Sequence, residues 1–163
     1  MTSDPEERDE LRARGELAAR LDRAFSSTPH PTPPVTWGTG PFNDEIERAL
    51  AGKNPDQLSP ADAYLLRGDL RFLTEEALLY YLPALLRLVL AGEPYIDGLD
   101  TFTFLVLAPP DNAVYLHDFE KQMSRLDPDQ RAVIADYVAW YCDQDARAPG
   151  CDRALTYWRS DSG

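Results

Sequence analysis

The sequence predicts a mainly α-helical fold: a single compact helical domain over residues 10–163, with a Pro-rich N-terminal loop, preceded by a flexible tail over 1–9. Three observations carry this reading. The 163 residues, 44% of them hydrophobic, suit one domain with a continuous core. Apolar residues recur at helical spacing in two long stretches, Leu78, Tyr81, Leu82, Leu85, Leu88 and Val89 in the first and Val133, Ile134, Tyr137, Val138 and Tyr141 in the second. Each stretch opens on a helix-start signal, Thr74-Glu75-Glu76 and Asp127-Pro128-Asp129-Gln130 respectively.

Taken in order, residues Met1 to Asp9 are polar and aperiodic, which predicts a frayed start. Leu11, Leu17, Leu21, Ala24 and Phe25 then line one stripe of an amphipathic packing helix. Its other face alternates acids and bases, which speaks against a membrane-surface role. From Ser26 to Pro41, five prolines and two glycines exclude a regular helix. An extended loop is expected there, pinned to the core by Val35 and Trp37. Asn43 caps a short helix holding Ile46, Ala49 and Leu50, ended by Gly52. Ser59-Pro60-Ala61-Asp62 supplies a cap, a proline at the first helical position and an acid in the first turn of the next helix.

The helix from Thr74 is apolar nearly all round, so burial on every side is expected. Pro83 removes one backbone donor at a cost of roughly 3 kcal/mol. Ten buried side chains at about 1.5–3 kcal/mol each outweigh it, so a bent helix that ends at Ala91-Gly92 is predicted. A membrane span needs about 20 consecutive apolar residues, and Arg87 interrupts this run while Glu75 and Glu76 close its front. Tyr80 and Tyr81 are expected in the core with hydroxyls reaching its rim.

Thr101 to Leu107 alternates and is rich in strand formers, with Pro109-Pro110-Asp111-Asn112 as a turn. This pattern allows a small β-hairpin over 101–116 or an extended, core-pinned segment, followed by a helix from Asp118 to Leu126. After Ala148-Pro149-Gly150, the apolar residues Ala154, Leu155, Tyr157 and Trp158 form a last short helix. Of the two cysteines, Cys142 is expected in the core and Cys151 in a loop. A disulfide across the Pro149-Gly150 turn is geometrically feasible, but no apolar leader follows Met1, and a reduced, cytoplasmic protein is expected.

The formal net charge of −12 argues against nucleic acid and anionic membranes as partners and favours a basic protein. Between residues 93 and 129, eight acids stand against Lys121 and Arg125, a net of −6, so half the net charge lies there. No Gly-rich phosphate loop, nucleophile elbow, zinc-finger spacing or His-Glu-x-x-His pattern occurs. His117-Asp118-x-Glu120 comes nearest to a metal motif, but such motifs need companion ligands on other helices. Glu76 could act as a general base if its helix end opened into a cleft with Tyr80 and His117.

The segment Phe72-Leu73-Thr74-x-Glu76-Ala77-x-x-Tyr80-Tyr81-Leu82-Pro83-Ala84 resembles a family of short uncharacterised bacterial proteins, a domain of unknown function. Leu126-x-x-x-Gln130-x-x-x-Ile134 and Ala154-Leu155-x-Tyr157-Trp158 resemble later segments of that family, so the resemblance covers most of the chain after about Leu58. It implies a fold and adds no site, because the matching positions are packing residues.

The expected function is that of a non-enzymatic cytoplasmic binding protein that presents Asp97, Asp100, Asp111, Asp118 and Glu120 to a basic protein partner. A toxin-neutralising role fits that description, and no cofactor or metal is expected. The alternative is a small metal-dependent or acid/base enzyme with a site near His117, Glu120 and Glu76.

Overall fold

The computed structural model describes residues 4–68, 70–92, 98–144 and 148–160. Among these, eight α-helices follow one another: α1 (Pro5–Phe25), α2 (Pro41–Leu50), α3 (Pro60–Leu66), α4 (Glu75–Ala91), α5 (Leu99–Leu105), α6 (Ala113–Met123), α7 (Pro128–Gln144) and α8 (Cys151–Ser160). The mainly α fold is as the sequence predicts. No described helix is long and apolar enough to cross a membrane.

Helix α4 is the shared wall of two apolar clusters. Leu79, Leu82, Leu86 and Leu90 face α1, α7 and α8, where they meet Leu21, Val133, Tyr137 and Trp158. Ala77, Leu78, Tyr81 and Leu85 face α2 and α3, where they meet Ile46, Leu50, Ala63 and Leu66. Burial on both sides explains the apolar composition all round this helix, and Pro83 is buried within it. Thr74 Oγ1 accepts the Ala77 N–H at 3.2 Å at its start, and Gly92, left-handed at φ 71°, closes it. The Tyr81 hydroxyl, fully buried, donates to the Lys53 carbonyl at 2.8 Å, tying α4 to the turn after α2. Burial, with smaller contributions from Tyr80, Asp62 and Glu47, pushes its phenol up to about 12.

The helix-start signals at Ser59 and Asp127 act as the sequence predicts, but α2 starts at Pro41 after Gly40 without a side-chain cap, and Asn43, expected as its cap, lies buried inside it with Nδ2 donating to the Trp37 carbonyl. Asp127 and Gln130 form a reciprocal box, Gln130 N–H to Asp127 Oδ1 at 2.8 Å and Asp127 N–H to Gln130 Oε1 at 3.0 Å. Ser59 and Asp62 form the same box on α3, and Lys53 Nζ adds an ion pair to Asp62 at 2.7 Å. Burial pushes the Asp62 carboxyl up, but the bonds from Lys53 and Ser59 outweigh it and hold the group below the usual carboxylate range. The resulting stabilisation is present above the unfolded carboxylate pKa of about 3.9 and is lost as the pH falls through the lower folded value. Asp62→Asn is expected to cost about 1 kcal/mol at neutral pH and to flatten the acid limb of stability. Urea titrations over a pH series measure this, and an acid limb identical to that of the unsubstituted protein would contradict it.

Several expectations are corrected. The hairpin over 101–116 does not form, and α5 and the start of α6 occupy that stretch. Among the described residues no second strand is available to pair with 101–107. A helix instead buries Leu99, Thr103 and Phe104, a stripe at i, i+4 and i+5. Helix α6 begins at Ala113, five residues before the expected Asp118, because the Asn112 side chain accepts the Val114 N–H at 2.9 Å and caps it there. Helix α1 begins at Pro5, inside the stretch assigned to the tail, with Asp4 as its cap and Glu6 and Glu7 in its first turn.

Val35 is buried as expected, but Trp37 is 60% exposed. The Pro-rich loop is held by its backbone: Trp37 N–H donates to the Phe72 carbonyl and Thr74 N–H to the Val35 carbonyl, both at 2.8 Å. Cys151 is buried at the start of α8, not in a loop, and pairs with Cys142 as a disulfide across a Cα–Cα distance of 5.8 Å.

Candidate functional site

The acidic segment takes its shape from α8. Trp158 Nε1 donates to the Leu107 carbonyl at 2.8 Å, and Arg153 Nε donates to the Pro109 carbonyl at 3.1 Å, so the turn between α5 and α6 is fastened from below. Helix α6 then lies on the outside, with only Phe119 and Met123 buried. Its solvent side carries Val114, 70% exposed, and Tyr115, 64% exposed. Asp118 is four residues from the first and three from the second, so the three share a face.

The predicted acidic residues separate into different settings. Asp97 lies outside the described residues. Asp111 is ion-paired with Arg153 at 3.1 Å. Asp118 and Glu120 are exposed on α6, and no ion pair to either occurs among the described residues. Asp100 stands apart in the first turn of α5 and lines a lateral cleft.

The residues of the enzyme alternative are not joined. Glu76 Oε2 accepts the Thr32 N–H at 3.4 Å from the Pro-rich loop, and Tyr80 packs against His30 with ring centroids 4.9 Å apart. His117 and Glu120 are exposed on α6, and no hydrogen bond or ion pair among the described residues links them to Glu76. No three or more His, Cys, Asp or Glu side chains gather as metal ligands among the described residues.

The lateral cleft, about 340 Å³, is walled by α1, α4, α5 and α7. Arg14 from α1 and Asp100 from α5 bring opposite charges to it, Trp140 and Tyr141 form an aromatic side, and Leu88, Val89 and Leu99 contribute apolar surface. The Arg14 guanidinium lies 5.5 Å from the centroid of the Trp140 ring. Nothing in the sequence joined these residues, since Arg14 reads as part of a solvated helix face. The one available signal was Trp140, an aromatic residue beside the buried stripe of α7 and not on it.

The architecture defines a compact, mainly α fold with an outer helix that carries Asp118 and Glu120 and a shallow cleft at its side. The chain belongs to DUF6714, a family of unknown function, whose model matches residues 13–162. No curated protein and no solved structure matches it significantly.

Proposed function

We propose that this chain is a non-enzymatic binding protein whose α6 face holds a basic segment of a protein partner. The observation that carries the reading is the conjunction on one exposed helix of Val114 and Tyr115 with Asp118 and Glu120, two carboxylates without ion-pair partners among the described residues. Tyrosine is among the residues that dominate binding energy at interfaces, and the Asp118 carboxylate on its face, with Glu120 further round the helix, favours Lys or Arg on the other side. The net charge of −12 adds long-range attraction for such a partner. A basic toxin in a bacterial cytoplasm has the required chemistry.

The experiment is affinity capture from the native host at low salt, followed by purification of the captured protein and titration of its affinity against salt. The expected partner is basic and binds more weakly as salt rises. Tyr115→Ala is expected to weaken it by about thirtyfold, the equivalent of a 2 kcal/mol anchor, and Asp118→Asn with Glu120→Gln to flatten the salt dependence. Capture that is equal for all variants, or insensitive to salt, would overturn the proposal.

A further inference from the structure

We infer that the lateral cleft between α1, α4, α5 and α7 binds a small zwitterion of the amino-acid class, its carboxylate on Arg14, its ammonium on Asp100 and its apolar part against Leu88 and Val89.

The first support is the way Arg14 is used. Glu10 Oε1 accepts from Arg14 Nε at 3.2 Å and from Nη2 at 2.6 Å, which occupies one edge of the guanidinium. Guanidinium carries five N–H donors, and Nη1 has no acceptor among the described residues. It hangs over Gly92, 3.7 Å from the position a Cβ would take there. The end-on edge thus remains for a second carboxylate, in the bidentate geometry that Arg favours. The Trp140 ring, 5.5 Å from the guanidinium, adds a cation–π contact that helps hold Arg14 at the cleft.

The second support is the separation of charge. Arg14 and Asp100 line the same cleft yet form no ion pair with each other or, in the case of Asp100, with any described residue. A cleft that offers a cation on one side and an anion on the other, without bridging them, complements a ligand with both charges. A purely anionic ligand would meet Asp100, and a purely cationic one would meet Arg14. The volume of about 340 Å³ lies at the small end of the range for ligand pockets, about 300–1,000 Å³.

Two buried polar atoms lie next to the cleft. Tyr137 on α7 is fully buried, and among the described residues its hydroxyl has no hydrogen-bond partner; nor has the buried Nε1 of Trp140. Both atoms are closed off from solvent and Tyr137 does not line the cleft, so they neighbour the binding surface and are not contacts of the ligand. Burial first, then Tyr141 and Asp100, hold the Tyr137 phenol far above its ordinary value, so it stays neutral. None of this rests on the α6 face, and Arg14 takes no part in the partner proposal.

The test uses the full chain labelled with ¹⁵N and the twenty common amino acids offered singly, L-leucine first, with the Trp140 indole resonance as readout. The expected result is a saturable shift of that resonance by amino acids with apolar side chains. 3-Methylbutylamine and 4-methylpentanoate, which lack the carboxylate and the ammonium of leucine respectively, should bind at least about tenfold more weakly. Arg14→Gln and Asp100→Asn should each weaken leucine by about tenfold, the loss of one charge-assisted hydrogen bond. Both positions are solvent-accessible, and circular dichroism verifies that each variant is folded. The inference is overturned if no amino acid shifts Trp140, if either analogue binds as tightly as leucine, or if both folded variants bind leucine unchanged.

Discussion

Replacing Trp158 by alanine is expected to lower the unfolding free energy by about 3–5 kcal/mol, read as a fall in the urea midpoint at unchanged slope. The indole is 1% exposed and packs in the cluster that joins α4, α7 and α8. Truncation removes the largest side chain of that cluster and leaves a cavity that the surrounding helices close only in part. It also deletes the Nε1 donor of the Leu107 carbonyl, the bond that holds α8 to the turn after α5. Trp158→Phe separates the two effects, since it keeps most of the apolar area. An additional loss of about 1 kcal/mol is expected there for the missing hydrogen bond. A loss below about 1 kcal/mol for the alanine variant, less than any buried aromatic truncation should give, would mean that α8 is not docked.

Leu85→Ala and Leu86→Ala are expected to cost about 2–5 kcal/mol each, and to do so in a single cooperative transition. The two residues are adjacent in sequence and both fully buried, but they point into different clusters, Leu85 toward α2 and α3 and Leu86 toward α1, α7 and α8. If the clusters were independent units, each substitution would loosen one half and leave the other, and fluorescence and circular dichroism would report different midpoints. Because α4 is a wall of both, loss of either cluster exposes the helix that the other needs. Coincident transitions for both variants are therefore the expected result. Separate transitions would show that the chain folds as two units, against the single domain expected over 10–163.

The features legible in the sequence were those encoded within a turn or two of chain. Ser59-Pro60-Ala61-Asp62 and Asp127-Pro128-Asp129-Gln130 announced α3 and α7 because a cap, a proline and a reciprocal acceptor three residues on act locally. Val133, Ile134, Tyr137 and Val138 of the buried stripe of α7 followed from period alone, whereas Tyr141, expected with them, is half-buried and lines the cleft. The stretch 101–116 misled for the converse reason. Its alternation is compatible with a strand, but a strand is stable only with a partner, and whether one exists is a property of the whole fold. Trp37 misled similarly: an aromatic residue in a Pro-rich loop reads as an anchor, while the loop is in fact held by backbone bonds to Phe72 and Thr74.

The candidate sites divide along the same line. The carboxylates Asp100, Asp111, Asp118 and Glu120 were visible as a charge run, but only the tertiary structure decided which of them are engaged, giving Arg153 to Asp111 and placing Asp100 in the cleft. The cleft itself joins residues 14, 88, 100 and 140, which no local pattern connects. By itself the sequence determined the helical class, the starts of α3, α4 and α7 and the central place of α4, because these depend on period, capping and apolar excess over short windows. Tertiary structure alone decided the state of 101–116, the pairing of Cys142 with Cys151 and the meeting of Arg14 with Trp140 and Asp100, because these depend on which distant surfaces α4 brings together when both its faces are buried.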